Sequence, residues 1–303
     1  MNDKLIVIVG SAGKLGRLVL ASLLKQPNLK VRALVRDLTK PEVAVLVGPR
    51  VELKVFDIAK ATAAERTAAV SGAFAVVSTV QGGPDIIIDG QLALLRAAKA
   101  AGARRFLPSD YSYDLFGLPE GVNMNTDWRR ALATAAAPEA SSTFEVVHLM
   151  QGIFTDKAVL GFLGVFDAEK GVARYWGDGK TPIDWTTWED TARFIAAAAT
   201  DERAVPERLQ VAGDRMDLLT VAKTWEHKHG RKVSLERLGS LEDLEALTKR
   251  KLHEEPHNMY AWLPLMYARG VFGGQAVLGE KHNARYPGIV AETVAQAIDR
   301  GAL

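Results

Sequence analysis

The chain of 303 residues contains no cysteine. It therefore forms no disulfide, has no catalytic thiol and offers no thiolate to a metal ion. Long apolar runs are lacking as well, since none approaches the roughly 20 residues that a membrane span needs. The N-terminus does not resemble a signal peptide, because the charged Asp3 and Lys4 are followed by only five apolar residues before a glycine turn. We therefore expect a cytoplasmic protein without a membrane partner.

A dominant charge of one sign is also lacking. The 38 lysines and arginines nearly balance 36 acidic residues, which gives a formal net charge of +2. Such a balance provides no electrostatic footprint for nucleic acid. We therefore expect no nucleic-acid partner, and a small-molecule substrate that is recognised locally. The 48% hydrophobic content suffices for one large or two unequal domains.

The most informative stretch is the glycine turn Gly10-Ser11-Ala12-Gly13-Lys14-Leu15-Gly16. It follows the apolar run Leu5–Val9 and precedes a helical pattern, where a dinucleotide fold has its first βα turn. Glycines permit positive φ and close approach, so backbone N–H groups of about residues Ala12 to Leu15 can bind a pyrophosphate at the helix start. The spacing departs from the G-x-G-x-x-G fingerprint, and a turn without a ligand is the alternative. The position after the first strand favours nucleotide binding.

Short β-rich runs alternate with helical patterns through the first half of the chain. This alternation predicts an α/β fold with a doubly wound parallel sheet over residues 1–150. The predicted strands are Leu5–Val9, Val31–Val35, Val51–Phe56, Ala73–Thr79, Arg105–Leu107 and Phe144–Leu149. The predicted helices are Pro41–Leu46, Ala61–Val70, Asp85–Ala101 and Asn125–Ala136.

The alternation stops after residue 150. Residues 151–185 and 213–303 are predicted to form a smaller, mostly helical substrate lobe. Between them, a helix over Glu189–Thr200 and a strand over Leu209–Ala212 indicate that about residues 186–212 return to the sheet. Ser240–Asp243 has the pattern of a capping box at the start of a later helix.

Several motifs occur in a familiar order. They are the glycine turn, Arg36 after the second strand, Val77-Ser78-Thr79-Val80, Arg105-Phe106-Leu107-Pro108-Ser109-Asp110, Gly152-Ile153-Phe154 and Arg285-Tyr286-Pro287. Together they resemble the NmrA-like and isoflavone-reductase-like family of atypical short-chain dehydrogenases. The resemblance implies a Rossmann fold that binds NADPH. It implies either a reductase of a small aromatic substrate or a non-catalytic redox sensor that acts on a protein partner.

The resemblance also implies which residues contact the cofactor. Arg36 is expected to pair with the 2′-phosphate and favour NADPH over NADH, although a carboxylate at Asp37 would favour NADH. The other implied contacts are Gly10, Ala12, Gly13, Lys14, Leu15, Gly16, Thr79, Val80, Gln81, Ser109 and Phe154.

The catalytic group is harder to identify. The family's reductases carry a lysine at the start of the helix after the fifth strand, and Asn125 stands there in the run Asn125-Thr126-Asp127-Trp128-Arg129-Arg130-Ala131-Leu132. An amide is neither acid nor base near neutral pH, although it can hydrogen-bond a substrate oxygen. The Tyr-x-x-x-Lys pair of short-chain dehydrogenases is also absent. The remaining candidates are Tyr111, Tyr113, His148 and Lys157, each with packing or solvation as its alternative.

Aromatic residues crowd the part of the chain that follows. Some of them are expected to line an apolar pocket for an aromatic substrate, and the rest to fill the core. They are Phe154, Phe162, Phe166, Trp176, Trp185 and Trp188.

One motif is misleading. His253-Glu254-Glu255-Pro256-His257 matches the H-E-x-x-H pattern of zinc proteases, which requires both histidines on one helix face. Pro256 inside that turn would cost about 3 kcal/mol. We therefore expect one helix to end near His253, the next to open at Pro256, and no metal site.

Overall fold

The structure is a computed structural model that describes residues 3–303. Within that range, no helix is long and apolar enough to cross a membrane. The backbone forms two compact units, each assembled from three stretches. Unit 1 contains the residues up to Tyr111, Trp128–Leu149 and Thr191–Leu209, and unit 2 contains Ser112–Asp127, Met150–Asp190 and Gln210–Leu303. That these units act as a cofactor domain and a substrate lobe stays a prediction.

Unit 1 is built on a six-stranded sheet in which all neighbouring strands are parallel. Its strands are β1 (Lys4–Val9), β2 (Leu29–Val35), β3 (Val51–Val55), β4 (Ala73–Ser78), β5 (Arg105–Leu107) and β6 (Glu145–Val146). They lie in the order β3-β2-β1-β4-β5-β6. Helices cover both faces of such a sheet, so central strands are apolar throughout, and Ile6, Val7 and Ile8 of β1 are fully buried. The predicted doubly wound fold is confirmed.

Helices alternate with these strands along the chain. They are α1 (Lys14–Leu24), α2 (Pro41–Ala44), α3 (Ala63–Val70), α4 (Gln91–Ala100) and α5 (Met124–Ala136). α2 ends at Ala44, before the predicted Leu46, and Val45 and Val47 beyond it are exposed.

Two further predictions need correction. The predicted helix Asp85–Ala101 opens as a π-helix over Asp85–Gly90, where three consecutive β-branched isoleucines crowd an α-helical turn. The predicted strand Phe144–Leu149 divides into β6 and β7 (His148–Met150). It divides because the backbone N–H of His148 donates to the carbonyl of Glu207 (2.7 Å) rather than to β5.

A buried arginine joins the three stretches of unit 1. Arg105 on β5 is fully buried, and its guanidinium donates to the carboxylate of Glu145. It also donates to the carbonyls of Ala198, Asp201 (2.8 Å) and Arg203 (3.0 Å). The buried charge is therefore paired and hydrogen-bonded, as burial of a charge requires.

Unit 2 is made from shorter strands and from helices. Its strands are β8 (Ile153–Phe154), β9 (Phe166–Asp167), β10 (Val172–Trp176), β11 (Ile183–Thr186), β13 (Asp214–Met216) and β14 (Ser234–Gly239). They form the sheets β14-β10-β9 and β13-β11-β8. Its helices are α6 (Lys157–Leu163), α8 (Leu218–His229), α9 (Leu241–Glu254), α10 (Met259–Phe272) and α11 (Val294–Asp299).

Two elements between β11 and β13 complete the chain. They are α7 (Trp188–Thr200) and β12 (Arg208–Gln210). β12 is not a strand of the six-stranded sheet, contrary to the prediction for Leu209–Ala212. The sheet ends at β6, whose two residues offer little edge for another strand.

The H-E-x-x-H run does not lie on one helix. α9 begins with the predicted capping box of Ser240 and Asp243, and it ends at Glu254. The next helix, α10, begins at Met259 rather than at the predicted Pro256. His253 therefore lies in the last turn of α9, and His257 lies between the two helices. Residues 3–303 contain no group of three or more His, Asp or Glu side chains placed to hold a metal ion.

Candidate functional site

The order of the six strands places a crevice in unit 1. The chain runs from β1 through β2 to β3 on one side of the sheet, and β4 pairs with the other side of β1. Ligands of open α/β sheets bind outside the carboxyl ends of the strands at such a reversal. The glycine turn follows β1, and Thr79 follows β4. We call Gly10–Gly16 together with Thr79 the glycine cradle.

Two glycines of the cradle are required by close packing. Gly10 has φ of +83°, and an added Cβ would lie 2.8 Å from the carbonyl oxygen of Thr79. A Cβ on Gly16 would lie 2.7 Å from Cα of Ser11 and would collide with the carbonyl of Gly10. The hydroxyl of Thr79 reinforces this packing by donating to the carbonyls of Val9 and Gly10, each at 3.1 Å. Side chains at either glycine would therefore displace the backbone.

Gly13 is different. Its φ of −68° and ψ of 164° are extended values that any residue adopts. A Cβ would approach only the carbonyl of Gly10, at 3.3 Å, and the residue is exposed. The turn itself therefore does not need a glycine here. Because Gly13 has no side chain, the backbone at the start of α1 is open to a ligand.

The start of α1 has no side-chain cap. Gly13 is the N-cap residue, and the first turn contains no acidic residue. By contrast, α3, α9 and α11 each begin with a complete capping box. The polar side chains near the turn are directed elsewhere, since Ser11 is buried and donates to the carbonyl of Leu34 (3.0 Å), and Arg17 donates to that of Ala12 (2.6 Å). The start of α1, with its dipole and without a side-chain cap, therefore favours an anion.

Arg36 and Asp37 lie directly after β2, as the sequence indicated. Arg36 is exposed. The Asp37 carboxylate accepts hydrogen bonds from the backbone N–H (2.8 Å) and the hydroxyl (2.6 Å) of Thr39. These bonds hold the pKa of Asp37 below its usual value. The carboxylate of Asp37 is therefore bound to Thr39 within its own loop, and it keeps its negative charge.

The predicted contacts after β4 and β5 are joined by hydrogen bonds. Ser109 donates from its hydroxyl to the carbonyl of Val80 (2.7 Å), and its N–H donates to the side chain of Gln91 (2.9 Å). Arg129 donates to the carbonyl of Ser109 (2.9 Å). Gln81 is exposed next to these groups in sequence. The segments after β1, β4 and β5 are thus fixed by side chains and backbone of unit 1.

Two catalytic candidates of unit 1 lie beside Asp110 and have buried polar atoms. Nδ1 of the buried His148 and a carboxylate oxygen of the buried Asp110 form a hydrogen bond of 2.5 Å. The hydroxyl of Tyr111 is buried and has no hydrogen-bond partner among residues 3–303. Burial, with a smaller effect from the charge of Asp110, raises the pKa of Tyr111 well above its usual value. A phenol in this state resists giving up its proton.

Of the predicted aromatic residues, three fill the core of unit 2 and three are partly exposed. The buried ones are Phe166, Trp176 and Trp185, and the others are Phe154, Phe162 and Trp188. The rings of Phe154 and Trp188 are stacked, with centroids 3.5 Å apart and planes inclined by 8°. This stack fixes the orientation of Phe154 and creates a flat apolar face.

Lys157 lies at the start of α6. Asp156 caps this helix by accepting from the N–H groups of Ala158 (2.9 Å) and Val159 (3.2 Å). The side chain of Lys157 is exposed, and it has no hydrogen bond to another described residue. The structure therefore does not join it to Tyr113 or Asn125, the other candidates of unit 2.

Tyr113 and Asn125 belong to one hydrogen-bonded group that sequence reasoning missed. Asn123 caps α5 by accepting from the backbone N–H of Asn125 (2.9 Å), and its amide donates to the hydroxyl of Tyr113 (2.9 Å). That hydroxyl also lies 3.3 Å from the hydroxyl of Thr126. The amide of Asn125 donates to the hydroxyl of Tyr267 on α10 (3.4 Å). We call these five residues the phenol–amide group.

The sequence contained a signal for only one of the missed members. An asparagine just before a predicted helix is a preferred N-cap, so Asn123 could have been found from its position. Tyr267 follows Asn125 by 142 residues, and no motif connects the two.

The comparisons with known proteins agree with this architecture. Residues 2–115 match the model of the NmrA-like family, which confirms the resemblance carried by the motifs within that segment. None of the curated proteins matches the sequence.

Solved structures resemble the chain over almost its whole length. Leucoanthocyanidin reductase from Vitis vinifera, solved as a binary complex with NADPH, is 18% identical, with a TM-score of 0.80 over 98% of both chains. Isoflavone reductase is 20% identical, with a TM-score of 0.82 over 99% of both chains. An NADPH-dependent quinone oxidoreductase from Escherichia coli, complexed with NADPH, is 19% identical, with a TM-score of 0.75 over 97% of this chain and 99% of that chain. At these identities the similarity shows the fold.

Proposed function

Because residues 2–115 match the NmrA-like family and the whole chain has the fold of isoflavone reductase, we propose that the protein is an NADPH-dependent reductase of a small aromatic substrate. The observation that carries the proposal is the glycine cradle. Its backbone is closely packed at Gly10 and Gly16, yet it is open at Gly13 and ends in a helix without a side-chain cap.

The residues of unit 1 fit NADPH. Backbone N–H groups in the first turn of α1 would hold the pyrophosphate, since that helix has no side-chain cap, whereas the N–H of Gly13 itself donates to the carbonyl of Gly10 (3.0 Å). Arg36 would pair with the 2′-phosphate, while Asp37 is held by Thr39. When bound, NADPH supplies a hydride. The solved reductases of the same fold include NADPH complexes, which supports this cofactor.

The residues of unit 2 fit an aromatic substrate. The stacked rings of Phe154 and Trp188 offer a planar apolar face, and Phe162 is 37% exposed. Aromatic rings pack favourably on such faces. The amide of Asn125 can orient a substrate oxygen by hydrogen bonding, although it supplies no proton. Reduction of a carbonyl also requires a proton or a hydrogen-bond donor at the oxygen that gains charge.

A second function is favoured by one observation. Asn125 stands where the reductases of this family have a lysine, so the usual proton-transfer group is missing. A chain that binds the dinucleotide without turnover would act as a redox sensor, as the regulatory members of the family do. Its cofactor occupancy would then be read by a protein partner.

One experiment separates the two functions. NADPH binding is measured by calorimetry, and NADPH oxidation is followed by absorbance with 4-nitrobenzaldehyde, 1,4-naphthoquinone and a lignan ether. Binding together with oxidation supports the reductase. Binding without oxidation of any compound overturns the reductase in favour of the sensor, and absence of binding overturns both.

A further inference from the structure

Tyr267 presents a hydroxyl beside Asn125. It lies on α10 and is partly buried, and its hydroxyl oxygen is 3.4 Å from the side-chain nitrogen of Asn125. The centroid of its ring lies 6.0 Å from the ring centroid of Tyr113 and 6.3 Å from that of Phe162. The ring is therefore held on two sides, while its hydroxyl lies beside Asn125.

The hydrogen bonding of this hydroxyl differs from that of the other tyrosine candidates. Asn125 donates to the oxygen of Tyr267, but within residues 3–303 no acceptor takes the hydroxyl proton. Tyr113 is 3% exposed, and its hydroxyl is already bonded to Asn123 and Thr126. The hydroxyl of Tyr111 is buried and has no hydrogen-bond partner in the described part of the chain. Tyr267 thus combines partial exposure, a fixed ring and a proton that is available for donation.

We propose that Tyr267 is the proton donor of the reduction and that the substrate class is aromatic carbonyl compounds. The inference rests on the proposed reductase function. The hydride from NADPH forms a C–H bond at the carbonyl carbon, and the π electron pair moves to the oxygen. The O–H bond of Tyr267 breaks as the new alcohol O–H forms, and the phenolate regains a proton from water. NADPH is oxidised, and the carbonyl is reduced.

Asn125 acts on this step as a positioning residue. Its amide N–H donates to the phenol oxygen, and a donor at that atom favours the negative charge that remains when the proton leaves. The backbone N–H of Asn125 is itself held by the side chain of Asn123, which fixes the start of α5. Asn125 therefore assists the proton transfer from Tyr267, although its own amide cannot donate the proton.

The exposed ring of Phe162 supports the choice of substrate. It is 37% exposed and meets the ring of Tyr267 at 67°, so one apolar ring stands beside the proton donor. An aromatic group attached to the carbonyl carbon can pack on Phe162 while its oxygen faces Tyr267. An aliphatic aldehyde of similar size lacks this contact and is expected to have a higher KM.

The test compares two tyrosines of the same helix. Tyr267→Phe keeps the packed ring and removes only the hydroxyl, and Tyr260→Phe makes the same change at a side chain that is 76% exposed. With 4-nitrobenzaldehyde we expect Tyr267→Phe to lower kcat by about 10²- to 10⁴-fold, the usual contribution of a general acid. The Kd for NADPH should not change, and Tyr260→Phe should behave as wild type. Equal kcat values for Tyr267→Phe and wild type would overturn the inference.

A double variant tests the role of Asn125. If Asn125 acts through Tyr267, the single variant Asn125→Ala has a lower kcat than wild type. The same substitution has no further effect on kcat in the Tyr267→Phe background. Additive losses would show that Asn125 does not act through the phenol. Failure of the proposed function gives a different result, since wild type would then oxidise no NADPH with any carbonyl compound. An active wild type with an equally active Tyr267→Phe variant rejects the proton donor alone.

Discussion

The glycine cradle and the phenol–amide group present their polar groups in opposite ways. The cradle offers backbone N–H groups, and its geometry depends on side chains that are absent at Gly10, Gly13 and Gly16. The phenol–amide group offers side chains from α5 and α10, and its geometry depends on hydrogen bonds between them. In the cradle a substitution acts by adding atoms, whereas in the phenol–amide group it acts by removing them. The sign and size of mutational effects should therefore differ between the two regions.

The largest effect is expected from Gly16→Ala. The new Cβ would lie 2.7 Å from Cα of Ser11 and 2.9 Å from the hydroxyl of Thr79, so the backbone of the turn must shift. Overpacking of this kind lowers the free energy of unfolding by about 1–3 kcal/mol, and the displaced turn should also lose NADPH binding. Denaturant unfolding and calorimetry measure the two losses. Gly13→Ala is the control, because its Cβ has no contact shorter than 3.3 Å. If Gly16→Ala and Gly13→Ala were equally stable, the close packing around Gly16 would be contradicted.

Gly13→Val separates ligand binding from folding. The backbone at Gly13 is extended and suits a β-branched residue, so the free energy of unfolding should stay within about 0.5 kcal/mol of wild type. The isopropyl group would occupy the open start of α1, and NADPH affinity should fall about 100-fold or more. Gly288→Val is a matched control, since a Cβ there has no neighbour within 4 Å. If a folded Gly13→Val variant bound NADPH with unchanged affinity in calorimetry, the glycine cradle would not be the site of the pyrophosphate.

Arg36→Ala tests whether the guanidinium of Arg36 binds the 2′-phosphate and so favours NADPH over NADH. Loss of a charge-assisted pair of roughly 1.5–3 kcal/mol should weaken NADPH about 10- to 100-fold and leave NADH almost unchanged. Lys25→Ala, an exposed cation at the other end of α1, should affect neither cofactor. Parallel titrations with both cofactors measure the ratio. Equal losses for NADPH and NADH would show that Arg36 does not contact the 2′-phosphate.

Two tyrosine hydroxyls should affect the free energy of unfolding without changing cofactor binding, and only one of the two substitutions should be destabilising. Tyr113→Phe leaves the buried amide of Asn123 without an acceptor and should lower the free energy of unfolding by about 1–3 kcal/mol. Tyr111→Phe removes a buried hydroxyl that has no partner in the described part of the chain, and it should be neutral or stabilising by up to about 1 kcal/mol. Chemical denaturation of both variants measures the difference. Destabilisation by Tyr111→Phe equal to that by Tyr113→Phe would show an unrecognised partner for Tyr111.

Alkaline pH provides a second measurement on Tyr111. The pKa of the folded state is raised, so the phenol stays neutral after the unfolded chain begins to ionise near pH 10. Its contribution to stability is therefore complete below that pH and is lost as the pH rises further. Tyr111→Phe should show a shallower decline in the free energy of unfolding above about pH 10. An identical decline would contradict the buried state of this hydroxyl.

The cradle could be predicted from the sequence because its signals are local. An apolar run, three glycines and a helical pattern stand within one segment, and the six strands follow the same alternation. The limits of α2 and β6 could not be predicted, since exposure of Val45 and the change of backbone partner at His148 depend on tertiary packing. The link between Asn125 and Tyr267 is the extreme case. Nothing near either residue in the sequence indicates which distant helix will approach it.

The buried Arg105 sets the order in which unit 1 can be completed during synthesis. Its guanidinium needs Glu145 and also the carbonyls of Ala198, Asp201 and Arg203, which leave the ribosome much later. Translation proceeds at about 5–20 residues per second, so the nascent sheet waits for seconds before its buried charge is fully hydrogen-bonded. A chain cut near residue 150 would keep the pair with Glu145 but would lose those three carbonyls, and each buried donor left unsatisfied costs about 1–3 kcal/mol. The first half of the sequence therefore contains every strand of the sheet but not every partner of its buried arginine.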